Sequence, residues 1–241
     1  MKIPIDPGKR IYVPMQAITE IVAIDGPAGA GKSSVSRAVA ERLGFAFLDS
    51  GAMYRAATWW AMHRGVDLED AEALAASTRA MSLKFSDEEG SLRIRVDDQD
   101  ITEAIRLPEV TERIRKLDAI PAVREPLMQL QRELASRRPT VAEGRDMGTV
   151  VFPDAKCKIF LDASLEIRTQ RRARELSENA QNPDLDQLRE AIRRRDEGDR
   201  TRATAPLRKA EDAHVLDSTA MSIEQVVDTI VSLARKAFSG P

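Results

Sequence analysis

Ile21-Val22-Ala23-Ile24-Asp25-Gly26-Pro27-Ala28-Gly29-Ala30-Gly31-Lys32-Ser33-Ser34 is a run of β-forming residues followed by G-x-x-x-x-G-K-S. Behind it, Val35, Val39 and Leu43 repeat at helical spacing. A strand, a glycine-rich loop and a helix in that order make a P-loop. The glycines let the backbone turn tightly, so that successive N–H groups face one concavity at the positive end of the helix, where a phosphate chain can sit. In that setting Lys32 is expected to reach the β- and γ-phosphates of a nucleotide, and Ser33 Oγ to ligate Mg²⁺. An ordinary glycine-rich turn accounts for the glycines but not for the Lys-Ser pair beside them.

Outward from this unit, strand and helix signals alternate. Residues 46–51 read as a short strand ending in a turn, and a helix follows from about Ala52 with Tyr54 and Arg55 in its first turn. Asp49 and Ser50 suit a helix cap. Arg55 runs against the dipole preference at a helix start, which suggests an anionic ligand there. From about Met81 the period changes: Leu83 and Phe85, then Leu92, Ile94 and Val96, alternate with polar residues around turns at 87–90 and 97–100. This is an antiparallel hairpin unit, read as a lobe inserted into the larger domain. Val110, Ile114 and Leu117 form one helical stripe and Val123, Leu127, Leu130 and Leu134 another, with Pro121 between them and Pro126 leaving the second start open. Residues 139–142 and 158–162 read as strands, 165–177 and 185–200 as helices, 179–184 as a loop and 214–217 as a last strand. Ser222 and Gln225 make a capping-box pattern for a final helix with Ile223, Val227, Ile230 and Leu233 on one face. The alternation implies an α/β fold with a mainly parallel central sheet flanked by helices on both sides.

The chain has 241 residues, 42% of them hydrophobic and 32% charged, which suits one large α/β domain with an inserted lobe. A net charge of −2, from 37 basic and 39 acidic residues, gives no reason to expect a nucleic acid polymer or an anionic membrane as partner. The single Cys157 excludes an intrachain disulfide and points to a reducing, cytoplasmic setting. It lies in an apolar run and reads as a buried small residue. Residues 1–19 hold no continuous hydrophobic region and read as an N-terminal extension, not a signal peptide. Nothing in the chain suggests more than a monomer.

In open α/β sheets, ligands collect beyond the carboxyl ends of the strands. The P-loop, Asp49-Ser50, Arg145-Asp146 and the turn after Asp217 each follow an expected strand, so they should meet at one cleft edge. Leu188, Ile192, Arg195, Asp199 and Arg202 share one helical stripe, apolar at its start and charged at its end. Such a stripe is either a face that leaves the core and enters a polar cleft or an ion-pair ladder on a solvated surface. Lys32, Arg55, Arg145 and Arg202 supply cations for phosphates, and arginine's planar fork matches phosphate oxygens. His63 and His214 lie away from these motifs, which leaves no obvious protein base. An acceptor that is already a phosphate anion needs none, so the pattern favours a nucleotide or another phosphomonoester over an alcohol. A P-loop kinase of a small alcohol or acid, and an ATP-binding module without turnover, are the rival readings.

The motifs resemble those of the bacterial cytidylate kinase family over nearly the whole chain, from about Glu20 to Phe238. Carrying the resemblance are 25–33, Leu48-Asp49-Ser50-Gly51-Ala52-Met53-Tyr54-Arg55, the run Glu143-Gly144-Arg145-Asp146-Met147-Gly148-Thr149-Val150-Val151-Phe152-Pro153-Asp154-Ala155, Ile159-Phe160-Leu161-Asp162-Ala163-Ser164, and Arg195-Asp196 through Arg202-Ala203-Thr204-Ala205-Pro206-Leu207. The resemblance implies transfer of the γ-phosphate of ATP to CMP or dCMP with Mg²⁺. It implies ATP on Gly26, Pro27, Ala28, Gly29, Ala30, Gly31, Lys32, Ser33 and Ser34, with Arg168 and Arg172 nearby. The acceptor phosphate would lie on Arg55, Arg145 and Arg202, and the ribose on Asp199 and Arg195. Ser50, Tyr54, Arg124 and Asp146 would surround the nucleoside, while Lys32, Arg145, Arg195 and Arg202 act as the catalytic cations. It also implies a core at 20–80, 122–165 and 200–241, a monophosphate-binding insertion at about 81–121 and a lid at about 166–199. Arg115 stands where the family commonly has a serine, which leaves the preference among CMP, dCMP and UMP open. The N-terminal extension has no counterpart in the match.

Overall fold

The computed structural model describes residues 20–88, 91–178 and 183–239. The N-terminal extension, the tip of the turn at 87–90 and most of the loop at 179–184 lie outside the described residues. Strand β1 (Ile21–Asp25) is the middle of a five-stranded parallel sheet. The other strands are β2 (Ala46–Asp49), β6 (Thr140–Gly144), β7 (Cys157–Asp162) and β8 (His214–Asp217), in the order β2-β6-β1-β7-β8. The registers place Asp25 beside Gly144 and Phe160, Asp49 beside Glu143, and Asp162 beside Asp217, so the carboxyl ends are level.

The unbroken apolar run of β1 reflects burial on both faces, as parallel sheets require. Ile21 and Ala23 pack with Leu48, Met53 and Leu127 on one side. Val22 and Ile24 pack with Val35, Val39 and Ile230 on the other. Helices α1 (Lys32–Leu43) and α8 (Ile223–Phe238) cover the second face and touch each other. Helices α2 (Ser50–His63), α3 (Ala71–Ala80) and α5 (Pro121–Ala135) cover the first. The capping box of α8 forms as read: Ser222 Oγ accepts from Gln225 N–H, and the Gln225 side chain accepts from Ser222 N–H. Cys157 is buried among apolar neighbours, and burial pushes its thiol up to about 12.

The inserted hairpin is a second, antiparallel sheet of β3 (Leu83–Glu88), β4 (Ser91–Val96) and β5 (Gln99–Asp100). Ile94 and Val96, with Ile101 and Ile105, pack on Ala52, Ala56 and Trp60 of α2. The short helix α4 (Pro108–Arg113) follows and leads to α5. Helix α5 begins at Pro121 and carries Pro126 inside it. Pro121 takes the first helical position, where no N–H is needed. Pro126 removes one donor in the second turn, a cost the helix tolerates with Val123 and Leu127 in the core. Helices α6 (Leu165–Glu178) and α7 (Leu185–Thr201) pack on each other, α6 leaving the end of β7.

Each strand of the parallel sheet ends on or beside an acid, and four of these acids hold the loop that follows or faces them. Asp25 accepts from the N–H groups of Met147 (2.8 Å) and Gly148 (2.7 Å), at the turn after β6. Asp49 caps α2 through Ala52 N–H, Asp162 accepts from Ala163 N–H and Asp217 from Thr219 N–H. The loops after β2, β7 and β8 are thereby held by the acid of their own strand, and the turn after β6 by Asp25 of the neighbouring β1.

Candidate active site

Gly26 begins the P-loop against β7. A Cβ there would lie 2.0 Å from the Leu161 carbonyl oxygen, so only glycine lets the loop pass this close. Lys32 is buried and its Nζ donates to Pro27 O at 2.8 Å, folding the side chain over its own loop. Burial, and after it the nearby Arg145 charge, pushes the Lys32 ammonium down to about 7. Ser33 Oγ donates to the Glu143 carboxylate at the end of β6. Burial, and then the neighbouring Asp49, pushes Glu143 up to about 7, and burial raises Asp25 to about 6. The Ser33 hydroxyl and Glu143 carboxylate supply the hard oxygen donors that Mg²⁺ prefers, and Mg²⁺ characteristically takes only one or two such protein ligands beside phosphates. Among the described residues no group of three or more His, Cys, Asp or Glu forms a metal cage. Ser34 is exposed on α1.

Opposite this loop the side chains alternate in sign. Arg145 Nε donates to Asp199 Oδ2 at 2.7 Å, joining the turn after β6 to α7. Arg202, at the end of α7, lies 3.4 Å from Asp118 and 3.9 Å from Asp146, and its Nε donates to Ala205 O. Arg124, buried on α5, pairs with Asp146, donates to Asp118 O and lies over the Tyr54 ring. Arg55 lies 3.4 Å from the Asp49 carboxylate, and its buried Nε has no hydrogen-bond partner among the described residues. Burial, then Arg145, lowers the Arg195 guanidinium to about 10, with Arg55 and Arg115 adding to the repulsion. Among the described residues the Tyr54 hydroxyl, also buried, has no partner, and burial raises it above its usual range. Ser50 Oγ sits against Gly144, 2.6 Å from where a Cβ would be. Arg55, Arg145, Arg195 and Arg202 thus converge, three of them braced by a carboxylate. Such a cluster of like charges favours an anion among them.

The stripe on α7 is therefore not a solvated ladder: Asp199 turns to Arg145 of another element. His63 stacks on Trp59 at 4.8 Å, and His214 starts β8 at the end of the sheet away from the cleft, so neither meets the site. The two expected ATP neighbours on α6 have different surroundings. Arg172 is partly exposed and pairs with Glu175 on its own helix. Arg171 reaches the loop instead, at Ala30 O (3.2 Å), and also donates to Ser218 Oγ and Ser218 O. Arg168 is buried behind the loop, where Nε donates to Ala163 O and Nη1 to Ala28 O and Asp196. The turn after Asp217 meets the neighbouring loops through Ser218, which bonds to Asp162 O and Arg171, and through Thr219, which accepts from Ser164 N–H.

Four acids were not singled out from the sequence: Asp25, Asp118, Glu143 and Asp196. Asp25 was legible as an acid closing a fully apolar strand. Asp196 lies four residues beyond Ile192 and continues the inward face of α7, so its burial could have been read. Asp118 has no such signal, because it comes from the irregular turn between α4 and α5. Arg115 is exposed in that same turn, with its guanidinium against Gly198 of α7.

A family model described as cytidylate kinase matches residues 22–236. The chain is 48% identical over 216 residues to a cytidylate kinase of Rhodopirellula baltica, covering 90% of this chain and 93% of that one. It is 48% identical over 213 residues to a cytidylate kinase of Pelotomaculum thermopropionicum, covering 88% and 94%. It is 44% identical over 222 residues to a cytidylate kinase of Klebsiella pneumoniae, covering 92% and 98%. Matches of this extent span the P-loop, the inserted sheet and every arginine of the cleft, and the chain belongs to the cytidylate kinase family.

Proposed function

We infer that the protein transfers the γ-phosphate of ATP to CMP or dCMP, giving ADP and CDP or dCDP. One observation carries this beyond family membership: two sites suited to phosphate face each other at one sheet edge. One is the P-loop; the other is the cluster of Arg55, Arg145 and Arg202. Phosphoryl transfer needs positioning and neutralisation of charge more than covalent help from the protein. The site offers that, and it offers no histidine that could deprotonate an alcohol.

In this account the backbone of 26–34 cradles the donor phosphates. Lys32 leaves the Pro27 carbonyl for them, and Ser33 and Glu143 hold Mg²⁺. The ion supplies charge neutralisation of the donor phosphates when bound. Arg55, Arg145 and Arg202 take the acceptor phosphate, exchanging carboxylate partners for phosphate oxygens. Asp199, released by Arg145, is then free to accept from a ribose hydroxyl, beside Arg195. Lys32, Arg145, Arg195 and Arg202 neutralise the group in flight. Ser50, Tyr54, Arg124 and Asp146 surround the nucleoside, and the unpartnered Tyr54 hydroxyl supplies a hydrogen-bonding group there. The insertion at about 81–121 serves as the acceptor lobe and α6–α7 as the lid. Closure of both excludes water, which would otherwise hydrolyse ATP. Arg168 supports the loop from behind, and Arg172, paired with Glu175, lies one helical turn beyond it. The protein works as a cytoplasmic monomer on small nucleotides. Among the described residues no helix is long and apolar enough to cross a membrane.

The test is ADP release from ATP with CMP, dCMP, UMP, AMP or shikimate offered separately. Strong turnover with CMP and dCMP is expected. Turnover with shikimate alone, or with none of the five, overturns the proposal.

A further inference from the structure

Asp196 and Arg168 form a charge pair at 2.5 Å, and each is about 95% buried. The pair encloses the backbone N–H and C=O of a single P-loop residue, Ala28. Ala28 N–H donates to Asp196 Oδ1 at 3.1 Å, and Ala28 C=O accepts from Arg168 Nη1 at 2.9 Å. Gly29 follows directly and lies on the backbone of α6 at Arg168, where a Cβ would meet Arg168 O at 3.1 Å. The donor loop is therefore clasped by one residue from each helix of the α6–α7 pair.

A buried ion pair is a poor device for stability alone, since well-packed apolar side chains of similar volume do as well or better. What it adds is a fixed geometry, provided every partner is satisfied. Here both oxygens of Asp196 are used, and Arg168 makes further bonds to two carbonyls. The placement on α7 gives this geometry a consequence. Asp199 is one turn further on, about 4.5 Å along the helix axis, and holds Arg145. Arg195 is the immediate neighbour and faces Arg145 and Arg55. One turn of α7 thus spans from the donor loop to the acceptor cations.

We propose that Asp196 is a positioning residue that sets α7 on the P-loop, so that Arg195 and Asp199 stand at a defined distance from the donor phosphates. This rests on the phosphotransfer reading above. Asp196→Asn keeps the shape and an oxygen for Ala28 N–H but removes the charge that orients Arg168.

The experiment compares steady-state kinetics, melting and amide exchange in the wild type, Asp196→Asn and the apolar double variant Arg168→Met/Asp196→Leu. For Asp196→Asn, kcat with CMP should fall by about 100-fold, the scale of a misplaced reacting group. KM for CMP should rise, KM for ATP should hold within about threefold, and the protection that ADP confers on amides of 185–201 should be lost. The double variant should recover melting temperature without recovering kcat. Unchanged kcat and KM for CMP in Asp196→Asn, or a double variant that regains kcat together with stability, overturns the proposal. If the wild type shows no CMP-dependent turnover, it is the phosphotransfer reading that fails. Exchange then decides by itself: ADP-induced protection lost in Asp196→Asn supports the positioning role, and equal protection in both proteins overturns it.

Discussion

On the donor side of the cleft, one unbroken stretch, residues 26–34, supplies the loop backbone together with Lys32 and Ser33. On the acceptor side the cations come from α2 (Arg55), the turn after β6 (Arg145) and α7 with its C-terminal end (Arg195, Arg202). Their carboxylate partners are as scattered: Asp49 from β2, Asp118 from the turn before α5, and Asp199 from α7. The donor half is local and built mostly of backbone. The acceptor half exists only when distant segments have been folded together. The donor half should therefore fail through sterics at one point, whereas the acceptor half should fail charge by charge while the fold survives.

The largest effect should come from the acceptor half. Arg145→Ala should lower kcat/KM for CMP by about 10²–10³, as for loss of one preorganised group facing developing charge, with ATP affinity nearly unchanged in a binding titration. A parallel loss of ATP affinity would show that the two halves are not separable. Gly26→Ala tests the donor half, because its methyl would meet the Leu161 carbonyl. Urea unfolding should show a loss of about 3 kcal/mol, the upper range for overpacking a tight site. Glu143→Gln comes next. It keeps a partner for Ser33 but removes the carboxylate, and the Mg²⁺ concentration for half-maximal rate should rise by about tenfold.

A pH effect should be smaller and confined to the donor side. Burial holds the free Lys32 ammonium down to about 7, so it loses its proton as pH rises through that value. Bound phosphates favour the charged form, so ATP binding above this pH should take up a proton and weaken with rising pH, by at most tenfold per unit. Calorimetry in two buffers of different ionisation enthalpy measures the proton directly, and no uptake at pH 8 would contradict the assignment. Smallest of all should be Arg172→Ala. Its exposed pairing with Glu175 predicts less than about a twofold change in any constant, whereas Arg171→Ala should be felt at the loop it touches.

The same contrast explains what could be read before the structure. The P-loop, the parallel sheet, the inserted hairpin and the α8 capping box each depend on neighbours a few residues apart, and local spacing carries such features. The α7 stripe put Arg195 and Asp199 toward one side of the helix, and Asp199 does meet Arg145, because helical period is also local. Lost from view were the partners. Nothing near Asp118 in sequence says that Arg202 will lie beside it, and nothing near Ala28 says that Asp196 will take its N–H. Arg168 and Arg172 differ by one helical turn, yet one is buried behind the loop and the other is partly exposed beside Glu175. Which arginine of a basic helix turns inward is settled by how α6 sits on α7 and the loop, a tertiary property.

The central claim is that the anion opposite the P-loop is the phosphate of a pyrimidine nucleotide. Phosphorus NMR of a mixture of ATP, Mg²⁺, CMP and the protein tests it most directly, because it reports the bond that forms. The account predicts loss of the ATP γ resonance with matched growth of the β resonances of ADP and CDP, and no free phosphate. ADP with inorganic phosphate, or an unchanged spectrum, would contradict it.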